Sequence, residues 1–278
     1  MSVLEPVSIA VLLITGLAVG FAQGLLGVGG CFIMVPVTVT IFTDMDFPVD
    51  MAVKLAFGTN LLVVLPTAMS SSLAHHRRGA VWWRAAIILG VAGAAGALLG
   101  STVTSRFIQG DSLKVAFGVV VILSGIRLLT GRPPSIEEEP KYSPLVWIGV
   151  GFPVGFVCGL IGIGGGVLMV PIMALALKFE MHRAVGTSTG LMMFISGAGA
   201  LGYILNGMGV AGLPAHSIGY LNLPTWICLA GTSVGMAQIG ARMAHRLTAT
   251  ILRAIFVLVM FYMGLKMIGV YDWLGWPL

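Results

Sequence analysis

The chain has 278 residues, of which 58% are hydrophobic and only 9% are charged. A soluble globular protein carries about 25% charged residues, so the composition excludes a water-facing globule and indicates a protein that crosses a membrane several times. The net charge of +5 comes from scattered basic residues with no run longer than Arg77-Arg78. This scatter favours membrane topology, rather than binding to nucleic acid or acidic lipid, as the origin of the charge.

The cysteines and the N-terminal segment exclude further classes. Cys31, Cys158 and Cys228 lie in apolar stretches, and no two of them have a CxxC spacing. We therefore expect no disulfide framework, no metal site and no cofactor. The apolar segment over 7–27 follows Glu5 rather than a basic region, which predicts a first membrane helix and not a cleaved signal peptide.

Ten apolar stretches predict an all-α polytopic membrane protein. Most of them approach the roughly 20 residues that a bilayer requires, but two are too short. In chain order they lie near 7–27, 31–43, 55–73, 81–104, 113–130, 145–162, 166–178, 184–205, 223–241 and 250–270. The short stretches are the second and the seventh.

A glycine-rich motif occurs twice. The pattern over Gly16–Pro36 returns over Gly151–Pro171, 135 residues later, and each copy contains a Gly-x-Gly-Gly cluster followed by Met-Val-Pro. Because each cluster precedes one of the short stretches, we predict a broken or re-entrant helix at each copy. The chain then consists of a first repeat over 1–130, a linker over 131–143 and a second repeat over 144–278, with five segments in each repeat.

The basic residues predict the orientation of the repeats. With the loop at 74–84 in the cytoplasm, the segments at 127–141, 178–183 and 242–253 are also cytoplasmic, and eleven of the fifteen Lys and Arg lie on that side. This is the asymmetry that cytoplasmic loops show in membrane proteins. The first half then starts outside and the second inside, so the repeats are inverted, the linker is cytoplasmic and both termini are outside.

The glycine clusters predict a binding site for a small anion. A helix that begins inside the membrane presents unpaired N–H groups and the positive end of its dipole, and glycine lets the backbone approach a ligand. The candidate residues are Gly27, Gly29, Gly30, Gly162, Gly164, Gly165 and Gly166. The alternative is that the glycines only let membrane helices pack closely.

A second pair of motifs supplies neutral hydrogen-bond donors. Thr59 and Asn60 correspond to Thr187 and Ser188, and each pair is expected at the start of a membrane helix, where hydroxyl and amide groups can bind an oxyanion. The alternative is that these side chains bond their own helix backbone. Lys54 and Arg183 precede the two motifs and are expected to attract an anion to the two openings of the transport path. The alternative is that they anchor helix ends at the membrane surface.

The acidic residues argue against a cation substrate. All ten map to predicted loops or to the ends of predicted helices, whereas cation carriers and proton pumps commonly keep a carboxylate inside the membrane. Without coupling, an inside-negative potential drives an anion outwards, so we expect an exporter. The alternative is an importer coupled to protons.

These motifs resemble the TauE/SafE family, also called the sulfite exporter or TSUP family of membrane permeases. The resemblance covers nearly the whole chain and rests on three segments: 24–30 with Pro36, 159–166 with Pro171, and 182–188. It implies a multi-pass carrier of the prokaryotic cytoplasmic (inner) membrane for sulfur-containing or organic anions such as sulfite and sulfoacetate. The first half has Asn60 where the second has Ser188, so the resemblance does not imply two identical half-sites.

Other functions remain open from the sequence. Cys31 and Cys158 adjoin the glycine clusters, which permits a thiol-assisted carrier of a thiosulfate-like anion. An intramembrane enzyme lacks support, because the chain has no HExxH, no nucleophile elbow and no paired aspartates in its predicted helices. The expected partners are the small anion and the lipid bilayer, not nucleic acid. A channel and a homo-oligomer are both compatible with the pattern.

Overall fold

The computed structural model describes residues 5–130, 143–244 and 249–270, and these ranges form ten α-helices without a β-strand. The predicted all-α fold is confirmed, while linker residues 131–142 lie outside the described ranges. In chain order the helices are α1 (Pro6–Leu26), α2 (Cys31–Asp44), α3 (Val49–His76), α4 (Trp83–Phe107), α5 (Gly110–Thr130), α6 (Pro144–Ile161), α7 (Gly166–Leu175), α8 (Met181–Gly207), α9 (Leu223–Met243) and α10 (Ala249–Ile268).

Five of the described helices, α1, α3, α4, α6 and α8, are long and apolar enough to cross a membrane. Large apolar side chains cover the outer surface: Val7, Ile14, Phe107 and Leu145 are between 66% and 78% exposed. Apolar surface of this kind is disfavoured in water and suits contact with lipid. The chain is therefore a multi-pass membrane protein.

The two helices that follow the glycine clusters are short, as predicted. α2 has 14 residues and α7 has 10, which at 1.5 Å per residue gives lengths of about 21 and 15 Å. The hydrocarbon layer is about 30 Å thick. Neither helix crosses it alone.

The helices that carry the Thr59 and Thr187 motifs begin earlier than predicted. α3 begins at Val49 directly after Pro48, and α8 begins at Met181. The fixed φ of proline suits a position before the first turn, and Asp50 in that turn interacts favourably with the helix dipole. The expectation that both motifs lie at helix starts was wrong, since both lie inside their helices.

Helices of one half pack on helices of the other. The first helix of each half lies along the fourth helix of the opposite half, which pairs α1 with α9 and α6 with α4. The third helices, α3 and α8, contact each other, and the fifth helices, α5 and α10, form another pair. Over the most apolar 18-residue stretch of each helix, 78% of the residues of α3 and 61% of those of α8 are buried, against at most 50% in the other long apolar helices. α3 and α8 therefore form the centre of the protein.

Evenly spaced glycines allow the helices of the α1–α9 and α4–α6 pairs to approach each other closely. Gly16, Gly20 and Gly24 lie every four residues along α1 and face the backbone of α9, where a Cβ atom on Gly20 would overlap the carbonyl oxygen of Ser233. The equivalent glycines of α6 face α4 in the same way. Close approach through small residues is the usual way in which membrane helices associate. This part of the repeated motif therefore serves packing.

Candidate functional site

The two Gly-x-Gly-Gly clusters each end a long helix through left-handed backbone. Gly27 has φ 63° and ends α1, while Gly162 has φ 66° and ends α6. Gly29 and Gly164 also have positive φ, 70° and 77°. Only glycine adopts such angles without strain, so the clusters are breaks in helical structure inside an apolar protein.

A short helix begins directly after each break. Gly30 precedes Cys31, the first residue of α2, and Gly165 precedes Gly166, the first residue of α7; neither N-cap glycine offers a side chain to the first turn. The N–H groups of a first turn have no acceptor within their own helix. Together with the helix dipole, they favour a negatively charged ligand.

The two breaks lie against each other in the protein interior. A Cβ atom built on Gly166 would lie 2.5 Å from the carbonyl oxygen of Gly27, and one on Gly164 would lie 3.5 Å from the sulfur of Cys31. All residues of both clusters are buried. We call the region formed by 27–30 and 162–166 the break contact.

Side chains of α3 and α8 enclose the break contact. Met192 of α8 would lie 2.8 Å from a Cβ atom on Gly29, and Val64 of α3 would lie 3.3 Å from one on Gly164. Ile195 of α8 lies at the same distance from a Cβ atom on Gly165. Since these walls are apolar, the polar groups of the break contact are mainly those of its backbone.

Thr59 and Thr187 hold the starts of the fourth helices in the two halves. The hydroxyl of Thr59 accepts a hydrogen bond of 3.0 Å from the backbone N–H of Asn222, the N-cap of α9. The hydroxyl of Thr187 accepts one of 3.0 Å from the N–H of Trp82, the N-cap of α4. Both threonines are fully buried. Each therefore links its own half of the chain to the N-cap of a helix in the other half.

Ser188 bonds to the first break, and Asn60 bonds to a side chain of α2. Ser188 donates to the carbonyl oxygens of Gly27 at 2.9 Å and of Val185 at 2.7 Å. Asn60 donates from Nδ2 to the Thr38 hydroxyl at 3.0 Å. The Oδ1 atom of Asn60 is buried without a partner among the described residues. Of the four predicted polar residues, Asn60 therefore has the most unused hydrogen-bonding capacity.

Gln23 is a polar residue at the first break that the sequence analysis missed. It is fully buried in α1, and neither atom of its side-chain amide has a hydrogen-bond partner among the described residues. Leaving a buried polar group unpaired costs about 1–3 kcal/mol. The signal that could have revealed it is the difference between the two copies, because Cys158 occupies its place in the second.

The two basic candidates lie in the first two turns of their helices. Lys54 is only 7% exposed, and its ammonium nitrogen lies 2.8 Å from Oδ2 of Asp50, one turn earlier in α3. Oδ1 of Asp50 in turn accepts the backbone N–H of Gly110 at 2.8 Å. Arg183 is half-buried in the first turn of α8. The Lys54 charge is thus balanced by a carboxylate.

Within the described ranges, no carboxylate lies in the middle of a helix. Asp44 ends α2, and Asp50 and Asp111 lie in the first turns of α3 and α5. The same ranges contain no cluster of three or more potential metal ligands. The break contact is therefore free of fixed negative charge.

A cavity of about 630 Å³ lies elsewhere, between α5, α6 and α7. Its lining is aliphatic except for Ser124 and Arg127, and the Ser124 hydroxyl already donates to the carbonyl oxygen of Val120 at 2.7 Å. It reaches the first turn of α7 through Val167 and Leu168. Because Arg127 is exposed and the Ser124 hydroxyl is already bonded, the break contact is the better candidate site.

Paired helix breaks at the centre of a multi-pass helical protein are typical of secondary transporters. The family described as "Sulfite exporter TauE/SafE" matches residues 12–267. The chain belongs to this family, which confirms the resemblance seen in its motifs and makes the protein a membrane transporter. The family indicates a transporter rather than an enzyme.

Relatives over most of the chain carry the same general description. A probable membrane transporter protein of Methanocaldococcus jannaschii is 30% identical over 260 residues, which cover 92% of this chain and 94% of the relative. Another, from Haemophilus influenzae, is 27% identical over 92% of this chain and 96% of its own length. The probable membrane transporter protein YunE of Bacillus subtilis is 31% identical over 72% of this chain and 80% of its own. No solved structure matches the chain significantly.

Proposed function

We propose that this protein is a secondary transporter that exports a small sulfur-containing or organic anion, such as sulfite or sulfoacetate, across the cytoplasmic membrane by alternating access. The observation that carries the proposal is the contact between the two breaks, which brings the starts of α2 and α7 together. Two positive helix ends beside one buried region favour a negatively charged guest. The description of the family as sulfite exporters supports the class of substrate.

The backbone supplies most of the binding in this proposal. N–H groups of Gly29, Gly30, Gly164, Gly165 and Gly166 bind the anion, together with the N–H of Asn60 Nδ2 that does not donate to Thr38. Thr59, Thr187 and Ser188 bond the backbone in this structure and position the walls of the site. A neutral site suits a carrier, because it binds an anion without retaining it as strongly as a buried cation would.

The helix pairs that join the two halves support a transport cycle built on two inverted repeats. α1 with α9 and α6 with α4 are equivalent pairs if the halves are related by a pseudo-twofold axis. Rocking of the halves around the break contact then opens the site to one side at a time. In this arrangement the linker is cytoplasmic and both termini are outside.

The membrane potential sets the direction. An inside-negative potential of 100 mV is worth about 2.3 kcal/mol per elementary charge, so an uncoupled carrier releases anions from the cell. The helix interiors that the structure describes hold no carboxylate for a proton relay. Import coupled to protons is the rival direction, and a pH gradient separates it from export.

The test is transport by the purified protein in proteoliposomes. Labelled sulfite, sulfoacetate, lactate and sulfate are offered with the potential clamped at either sign, with and without a pH gradient. We expect saturable flux of at least one anion, driven by the potential, and accelerated exchange with unlabelled anion on the opposite side. Flux without saturation or exchange would indicate a channel, and no flux of any anion would overturn the proposal.

A thiol-assisted carrier is the second candidate, because both clustered cysteines lie at the breaks. Cys31 and Cys158 are fully buried free thiols, and the sulfur of Cys31 would lie 3.5 Å from a Cβ atom on Gly164 of the second break. The double variant Cys31→Ala/Cys158→Ala decides between the candidates. Full transport in this variant would exclude the thiol mechanism, whereas selective loss of thiosulfate transport would establish it.

A further inference from the structure

Gln23 is a buried amide that the proposed backbone site does not use. Its exposed fraction is 0%, and both Nε2 and Oε1 are without a partner among the described residues. Such groups are rare in proteins because they lose hydrogen bonds to water without gaining others. A ligand that carries an oxygen acceptor would supply the missing partner of Nε2.

The location of Gln23 identifies where such a ligand binds. Its backbone carbonyl accepts the N–H of Gly27 at 2.9 Å, so the residue belongs to the turn that forms the first break. Its counterpart in the second half is Cys158, which lies in the last turn of α6, directly before the second break. Val19, one turn before Gln23 on the same face of α1, lies against Gly30, the N-cap of α2, so Gln23 belongs to the face of α1 that is turned towards the start of α2.

We propose that the side-chain amide of Gln23 binds the oxyanion group of the transported anion at the break contact. This inference rests on the proposed function and adds a specific side chain to it. The two N–H groups of Nε2 donate to an oxygen of the anion and supplement the backbone donors of α2. Carboxylate, sulfite and sulfonate groups share the chemistry that this amide recognises.

Gln23 also makes the two half-sites chemically different. The first half brings two amides, Gln23 and Asn60, where the second brings Cys158 and Ser188. The Ser188 hydroxyl already donates to backbone carbonyl oxygens, while Nε2 of Gln23 is without a partner among the described residues. The charged end of the anion therefore binds on the side of the first half.

The test uses Gln23→Met, which keeps the length of the unbranched side chain and removes the amide. An unpaired amide destabilises the empty protein, so we expect the melting temperature without anion to stay the same or rise. For whichever of sulfite, sulfoacetate or lactate the wild type transports, we expect KM to rise at least tenfold. The same anion should no longer raise the melting temperature.

Two further variants keep the result interpretable. Gln238→Met on α9 is the matched control and should preserve both KM and the anion-dependent rise in melting temperature. Gln23→Asn keeps an amide and should recover part of the affinity lost in Gln23→Met. A lower melting temperature of Gln23→Met without anion, or an unchanged KM, would overturn the role of Gln23 while wild-type flux still upheld transport. No flux in the wild type would overturn both proposals.

Discussion

At the breaks, single backbone angles decide whether one helix ends and another begins. Gly165 has the largest positive φ among the described glycines, 103°, which lies where other residues are strained. A Cβ atom there would also lie 3.3 Å from Ile195. The two constraints act on the residue that forms the N-cap of α7.

We predict that Gly165→Val reduces transport to background. The strained backbone costs about 1–3 kcal/mol, and the start of α7 shifts away from the break contact. Gly209→Val is the matched control, because Gly209 has φ 82° and nothing within 4 Å of an added Cβ atom. Flux in proteoliposomes and size-exclusion profiles measure the effect, and wild-type flux in Gly165→Val would contradict the assignment.

Thr59 and Thr187 lead to a prediction about stability. Thr59→Val or Thr187→Val keeps the shape of the side chain but leaves the N–H of Asn222 or Trp82 without its acceptor. We expect a loss of about 1–3 kcal/mol in each variant, measured by denaturation of the purified protein in detergent. Thr40→Val is the control, since Thr40 only donates to the Pro36 carbonyl of its own helix. Normal stability with altered KM would instead indicate direct contact with the anion.

At the scale of helices, the repeated motif combines two roles that a sequence pattern does not separate. Its evenly spaced glycines pack α1 on α9 and α6 on α4, while its terminal cluster forms the breaks. Packing and binding are therefore adjacent on one helix. Substitutions at neighbouring glycines should affect different properties.

We predict opposite effects for two alanine substitutions on α6. A Cβ atom on Gly155 would overlap the carbonyl oxygen of Gly93, whereas one on Gly149 has nothing within 4 Å. Gly155→Ala should destabilise the protein by about 1–3 kcal/mol through overpacking. Gly149→Ala should leave stability unchanged or raise it by up to about 1 kcal/mol, because alanine favours helix. Denaturation in detergent compares them, and equal effects would contradict the close α4–α6 packing.

At the scale of the whole molecule, orientation is the property that transport depends on most. We predict that a cysteine at Ser135, in the linker, reacts with an impermeant maleimide only from the cytoplasmic side. A cysteine at Met208, which is 59% exposed after α8, should react only from outside. Both are introduced after replacement of the three native cysteines and labelled in whole cells and in inside-out vesicles. The reverse pattern would contradict the orientation proposed from the basic residues.

The sequence by itself determined the helical class, the two short helices and the family. These features depend on hydropathy and glycine spacing, which act over a few residues or one helix. The predicted helix starts were less accurate, since α3 begins at Val49, six residues before the predicted position 55. Polar residues such as Asp50 and Lys54 lower the apolar signal of the first turns, although they pair with each other in the helix.

Only the tertiary structure decided what the polar residues do. The meeting of the two breaks and the bonds of Thr59 and Thr187 to opposite N-caps are contacts between distant parts of the chain. Among the described residues, no hydrogen bond reaches the side-chain amide of Gln23. The sequence lists the donors and acceptors but not which of them packing brings within hydrogen-bonding distance. Those distances are set by the close approach of helices from different halves. For this reason the sequence shows Gln23 only as a polar residue, and the fold is needed to show that its side-chain amide is buried without a partner among the described residues.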